Sequence, residues 1–351
     1  MTEPRPGRLG VGVVGAGRVG AVLGSALRSV GHAVVGASGV SDASVERIET
    51  LLPGVPVLEV PELVRRSQLV LLTVPDDALP DLVMGLAALG AWQTGQIVVH
   101  TSGHHGVGVL APAAAAGAIT LAIHPAMTFT GTSLDLARLE GTSFAVTCSP
   151  MLEPIGQALV VELGGEPVIL AEDARGLYHA ALAHASNHLV VLLAQAAQAL
   201  GAAGVADPGR MLAPLVQASL ESALRSADVG DAAAPPSAAD PGAIAALTGP
   251  VSRGDVGTVC GHLDVLGRLA TTDGALDVVE SYRTLSRAAT QRALGIGRIG
   301  AVQARALLDA LEGPGRPGAA GTTRSPHTSP PPGPPAAPSP DTLPDHPEDP
   351  A

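Results

Sequence analysis

Between Leu9 and Asp173, short apolar runs alternate with stretches in which apolar residues return at helical spacing. This is the pattern of strand–helix–strand units on a parallel sheet. Leu9–Val14, Ala33–Ala37, Leu69–Val74, Ile97–His100, Ile119–Ile123 and Ser143–Thr147 read as strands, and Arg18–Val30 as the first helix, with Gly31 just past its end. The run LVLLTV shows no polar alternation, so its strand should be covered on both faces. After Asp173 the period changes to that of long alanine-rich helices, predicted over Ala174–Leu200, Pro208–Ser226, Asp255–Ala270 and Ala275–Leu294, with a last one ending near Leu311. A loop rich in Ala, Pro and Asp, Asp228–Asp240, separates the second from the third. The predicted class is α/β: a doubly wound Rossmann-type sheet over residues 8–171, followed by an all-α domain over 172–312. Residues 313–351 hold 13 of the chain's 31 prolines and nothing that can bury apolar area, so a disordered tail is expected there.

Composition narrows the chemistry. All 20 basic side chains are arginine; there is no lysine, which excludes Schiff-base chemistry and a P-loop lysine. The net charge of −12 argues against a nucleic-acid partner, and so does the scarcity of aromatic residues, Trp92, Tyr178, Tyr282, Phe129 and Phe144. The core must be built from Ala, Val and Leu. Cys148 and Cys260 do not form a disulfide framework. The opening MTEPRPGRLG lacks the layout of a signal peptide. Val107–Ile123 is interrupted by Pro112, and Leu189–Leu200 is shorter than the ~20 residues of a membrane span. The expectation is a soluble cytoplasmic protein with no membrane contact.

Gly15-Ala16-Gly17-Arg18-Val19-Gly20 is a G-x-G-x-x-G placed directly after a predicted strand and opening a helix, the context in which it marks a dinucleotide site. Gly15 permits the turn, Gly17 lets backbone approach a pyrophosphate, Gly20 lets helix pack on sheet, and the helix N-terminus supplies donors for phosphate. An NAD site would carry Asp or Glu at the end of the second strand; here stand Ala37, Ser38 and Gly39, with Arg18 close to the adenosine end. NADP is therefore expected over NAD, with Asp42 the contrary residue. Val74 and Pro75 end a strand whose loop should pass over the cofactor, and Asp76 and Asp77 read as helix caps.

These residues stand in order with His100-Thr101-Ser102-Gly103, His124-Pro125-Ala126-Met127-Thr128-Phe129, Tyr178-His179…Ser186-Asn187 and LTGPVSRGD at Leu247–Asp255. The set resembles the bacterial family that joins a Rossmann-like domain to a helical domain of unknown function, a branch of the 6-phosphogluconate dehydrogenase-like superfamily. The resemblance covers Leu9 to Leu294. It implies a helical domain of the 6-phosphogluconate dehydrogenase C-terminal type, hydride transfer from NADP or NAD to a small carbonyl, imine or hydroxy acid, and a homodimer formed through the helical domain. Ketopantoate reductases and pyrroline-5-carboxylate reductases look like its nearest well-defined relatives. Several relatives use a lysine and an asparagine on the first helix of the second domain. Asn187 is a match for the latter, and the lysine has no counterpart.

Another proton donor is needed. His179 is the first candidate, since imidazole titrates near neutrality. Ser186 lies about 20° and Asn187 about 80° from it around a helix, so the three are expected to address one cleft. Ser102, Gly103, His124 and Thr128 are expected to hold the substrate at the ligand edge of the sheet, with Thr248 and with Arg253 forking onto a carboxylate. His184 and His188, spaced i, i+4, lack the third ligand of a metal site, so no metal is expected. The reading is an NADP-dependent reductase of a small 2-oxo acid or related carbonyl, with 2-ketopantoate as the single best substrate. The alternatives are a non-catalytic dinucleotide-binding regulatory or partner-binding protein, or a flavin or deazaflavin in place of the substrate.

Overall fold

The computed structural model describes residues 8–227 and 242–312. The expected disordered tail and the Asp228–Asp240 loop lie outside the described residues. The chain divides into two compact units, with the division between Ala196 and Ala197.

The first unit is built on a seven-stranded sheet. Its strands are β1 (Gly10–Val14), β2 (Ala33–Ser38), β3 (Leu69–Leu72), β4 (Ile97–His100), β5 (Ile119–Pro125), β6 (Ser143–Thr147) and β7 (Glu166–Ile169), in the order β2-β1-β3-β4-β5-β6-β7. All neighbours are parallel except β5 and β6. Its helices are α1 (Arg18–Ser29), α2 (Asp42–Leu51), α3 (Val60–Arg66), α4 (Leu79–Ala88), α5 (Ala111–Ala115), α6 (Leu134–Arg138), α7 (Glu153–Glu162) and α8 (Arg175–Ala202), the last running past the division.

Strand residues alternate between two apolar cores. Val11, Val13, Leu69, Leu71 and Val99 enter one, with α1, α2 and α7; Val14, Val70, Leu72 and Val98 enter the other, with α3, α4 and α5. Burial on both faces explains why these strands read as unbroken apolar runs. Prolines open α3, α4, α5 and α7, where the missing N–H costs nothing. Ser41 caps α2 by accepting from Ser44 N at 3.2 Å. Gly31, at φ 103°, ends α1 and lets His32 N donate back to Leu27 O at 3.1 Å.

Three features depart from the sequence reading. β6 runs antiparallel to β5, because the chain turns back at the same sheet edge, with Ala126 N donating to Ser143 O, instead of crossing over. β7 was not foreseen; as a short edge strand exposing Val168 and Ile169 it carries no continuous apolar signal. Asp76 and Asp77 do not cap with their side chains: they lie inside a 3-10 turn, Asp76–Ala78, that starts after Pro75.

The second unit contains α9 (Pro208–Ala227), α10 (Pro250–Arg253), α11 (Val256–Asp273), α12 (Leu276–Gly295) and α13 (Ala301–Glu312). Val259, Leu263, Val279, Leu307 and Leu311 form its core. Asp255 caps α11 as expected, accepting from Thr258 N at 3.2 Å and Thr258 Oγ1 at 2.7 Å. Those bonds, aided by Arg253, hold its carboxyl below the usual range.

α8 differs from an ordinary core helix. Leu177 is 79% exposed, Val190 67% and Val191 50%, while only Arg175 and Gln195 are buried. Among the described residues, one helical stretch, Glu172–Ala202, is long and apolar enough to cross a membrane.

Candidate active site

The three glycines occupy three different environments. Gly15 has φ 88°, a conformation that L side chains avoid. A Cβ on Gly20 would overlap Thr73 Oγ1 and Gly15 O. At Gly17 a Cβ would meet nothing nearer than Gly15 O at 3.9 Å, which leaves that backbone open. No side chain caps α1. Its first N–H groups and its positive dipole end therefore face this opening, an arrangement suited to phosphate. Ser38 is buried at the end of β2, and its Oγ accepts from Gly15 N at 3.1 Å, so it braces the turn. Ala16 N donates to Ser38 O at 2.7 Å. Thr73, which sequence reasoning passed over as strand, donates from Oγ1 to Gly15 O at 2.6 Å and locks the turn against β3. Val74 packs on Gly15 and Pro75 follows it, exposed.

Arg18 does not stand alone. Gly131, at φ 80°, fits between Arg18 and Arg47 of α2: a Cβ there would lie 2.9 Å from Arg18 Cγ and 3.0 Å from Arg47 Nε. Buried Asp135 pins that loop, accepting from Thr130 N at 2.8 Å and Gly131 N at 2.7 Å. Neither arginine has an ion-pair partner among the described residues. Arg47 gave no sign in the sequence, because only the packing of α2 on α1 and the placing of Gly131 between them bring it to this site.

At the same edge of the sheet the ends of β4 and β5 meet the start of α8. His124 Nδ1 lies 2.9 Å from the Tyr178 hydroxyl, with the rings edge to face. The His179 ring stands 5.9 Å from that of His124 and 6.3 Å from that of His104. Gly103 is hemmed in by both: a Cβ would fall 2.7 Å from His179 Cδ2 and 2.9 Å from His124 Nε2. Ser102 is buried, and its Oγ accepts from His104 N at 3.2 Å and His105 N at 2.9 Å, which folds the loop into a turn. His100 accepts from Ser102 N at Nδ1, 3.2 Å, and meets Gly106 O at Nε2, 3.0 Å, the pattern of one neutral tautomer. Burial pushes His100 down to about 4, against the pull of the Gly106 carbonyl. Burial, then Arg175 and His179, brings His124 to about 4 as well.

Arg175 lies beneath this cluster, fully buried. Its guanidinium donates to Ser102 O and, at 2.9 Å, to Thr147 Oγ1, tying the β4 loop to β6. Its Nε has no hydrogen-bond partner, and no carboxylate lies within ion-pair distance among the described residues. Glu172, just before α8, accepts from Val107 N at 2.8 Å and Gly108 N at 3.0 Å; any side chain on Gly106 would overlap its carboxyl. A lone arginine and a lone glutamate in AEDARG carry no sequence signal for such roles.

Ser186 and Asn187 are exposed on α8, about 10 Å further along the axis than His179 by helical rise. The Ser186 hydroxyl donates to Leu182 O at 2.8 Å in its own helix. Thr128 is exposed in the loop after β5. Thr248 and Arg253 are exposed in the second unit, where His262 Nδ1 lies 2.8 Å from the Tyr282 hydroxyl. His184 and His188 are exposed, with Nδ1 atoms 2.7 Å apart. Among the described residues no group of three or more metal-ligating side chains occurs.

Sequence profiles match the chain in two places. The Rossmann-like domain matches residues 1–125, and the domain of unknown function DUF2520 matches residues 142–289. The chain joins a Rossmann-like domain to a DUF2520 domain. The Rossmann-like match holds the glycine turn and the His100–His124 edge, and the DUF2520 match holds Arg175, Tyr178 and His179. No curated protein matches the sequence. Solved structures share the fold. A Bacteroides fragilis protein provisionally assigned as an NADP oxidoreductase is 18% identical, with a TM-score of 0.61 over 80% of this chain and 98% of its own. An imine reductase from a Pseudomonas species is 21% identical, with a TM-score of 0.59 over 87% and 99%. An imine reductase from Myxococcus stipitatus, solved with NADP+, is 17% identical, with a TM-score of 0.57 over 86% and 99%.

Proposed function

We propose that this protein is an NADP-dependent reductase of a small carbonyl or imine. The observation that carries the reading is the coincidence, at one edge of one sheet, of an open glycine turn at an uncapped helix and a cluster of proton-bearing side chains around Gly103. Open α/β sheets bind ligands at this edge, beyond the strand ends where the strand order reverses. The glycine turn and α1 would hold the pyrophosphate. Arg18 and Arg47, with no carboxylate at Ser38 to oppose them, would hold a 2′-phosphate. The bound nicotinamide would supply the hydride.

The chain's own residues would position the acceptor and manage the proton. Gly103 and the rings of His124 and His179 shape the place where a small substrate lies, and Ser102 fixes the loop below it. Tyr178 and His179 both present protons there, while Ser186, Asn187 and Thr128 of the same unit are second in line as substrate contacts. A buried guanidinium with no ion pair among the described residues favours an anionic substrate or transition state, so 2-oxo acids, 2-ketopantoate first, head the panel alongside cyclic imines. The exposed apolar face of α8 would be covered by a second copy in a cytoplasmic homodimer. A bilayer is the poorer partner, since α8 carries Arg175, three histidines and Asn187.

NADPH oxidation at 340 nm by the full chain, with each member of the panel, tests the reading. Substrate-dependent turnover supports it. NADPH binding with no turnover by any carbonyl or imine would favour the non-catalytic alternative.

A further inference from the structure

Resting on the reductase reading, we propose that Tyr178, and not His179, is the acid that protonates the reduced substrate, with His124 and Arg175 as its positioning residues. Tyr178 and His179 leave their helix about 100° apart, and their rings stand 5.6 and 5.9 Å from that of His124. Their surroundings differ. The Tyr178 hydroxyl is held by His124 Nδ1 at 2.9 Å. The His179 ring has no hydrogen bond among the described residues; it packs on His104, His124 and Gly103 as a wall. Three residues before Tyr178 on the same helix, buried Arg175 places a positive charge under the site that Glu172 and Asp76 offset only from beyond ion-pair distance. A guanidinium does not release its proton, so Arg175 can stabilise an anion but cannot be the acid.

Hydride from NADPH forms the new C–H bond and leaves negative charge on the substrate oxygen. The Tyr178 O–H bond breaks as the substrate O–H bond forms. The phenolate is then held by the proton of His124 Nδ1 and by the Arg175 charge. Water returns a proton to it through His124, which is half-buried and reaches solvent.

The titratable and charged groups about Tyr178 are His124 on β5 and Arg175 and His179 on its own helix; behind them, Asp76 after β3 acts on His124 and Arg175, Glu172 before α8 acts on Arg175, and His104 packs on the His179 ring. Burial raises the Tyr178 phenol above its ordinary value, and Arg175 offsets part of that rise. A tyrosine acid therefore stays protonated through pH 9, whereas a histidine acid fails as pH rises past neutrality.

Two measurements decide. Tyr178→Phe should lower kcat roughly 100-fold or more with NADPH affinity unchanged, and His179→Gln by a smaller factor. The wild-type kcat should stay level between about pH 6 and 9. The second readout needs no turnover. The chain has two tyrosines, so in a Tyr282→Phe background the absorbance of tyrosinate reports Tyr178 alone. There, adding His124→Gln should shift its ionisation midpoint by about half a pH unit or more, equivalent to roughly 0.7 kcal/mol. Turnover that survives Tyr178→Phe within about threefold, a kcat that falls through neutrality, or an unmoved midpoint overturns the proposal. A chain that oxidises NADPH with no carbonyl or imine of the panel sinks the reductase reading and this one together.

Discussion

Gly17 and Gly20 stand one helical turn apart and answer to different forces. Gly20 is wedged against Thr73 and Gly15, so Gly20→Ala forces strand and helix apart; a loss of about 1–3 kcal/mol is expected, seen as a lower Tm. Gly17 faces open space, so Gly17→Ala should leave Tm nearly unchanged and weaken NADPH binding instead. Equal effects of both changes on Tm would contradict these roles. The buried histidines set a pH dependence. His100 and His124 titrate at about 4 in the folded protein, well below about 6.5 for a solvated histidine. Between those values the unfolded chain binds more protons. Stability is then fully present above about pH 6.5, falls as the pH drops toward 4 and levels off below it, by at most about 3 kcal/mol for each histidine. Tm measured from pH 7.5 to 4.5 should show that slope, and His100→Asn should flatten it. At this scale the glycines were legible, because their spacing and context state their purpose. The Tyr178–His124 pair was not: it spans 54 residues and exists only once β5 and α8 are in place.

The elements carry their own signals where burial is uniform. LVLLTV, IVVH and SFAVT read as strands because the sheet buries them on both faces or nearly so, and α11 starts where Asp255 caps it. β7 and the reversal of β6 were illegible, since the first is a half-exposed edge and the second depends on where α6 packs. Glu172 shows what local pattern conceals. Its carboxylate serves the 3-10 turn Val107–Leu110, which lies far away in sequence, as an N-cap residue would, and so fixes the loop holding Ser102 to His105. Glu172→Gln keeps the shape and removes the charge, and should cost about 1 kcal/mol by denaturant unfolding. No change beyond error would mean that the tie is incidental.

For the whole molecule, the order of a glycine-bearing sheet followed by long helices was plain from periodicity, and what covers the helices was not. Exposed Leu177, Val190 and Val191 along α8 form an apolar surface of the kind that soluble proteins bury against a partner. Val190→Glu should convert a dimer to a monomer in sedimentation velocity; a wild-type monomer would refute the proposed assembly. The absence of lysine, a feature of the entire chain, left open which group manages charge at the site, and buried Arg175 beside Tyr178 supplies an answer that composition alone could not. The most direct test of an NADP enzyme is equilibrium binding followed by nicotinamide fluorescence, with NADPH and NADH titrated into the full chain and into Arg18→Ala and Arg47→Ala. NADPH should bind about tenfold or more tighter than NADH, and either change should erase most of that preference. Equal binding of the two nucleotides by the wild type, or a preference that survives loss of both arginines, would contradict it.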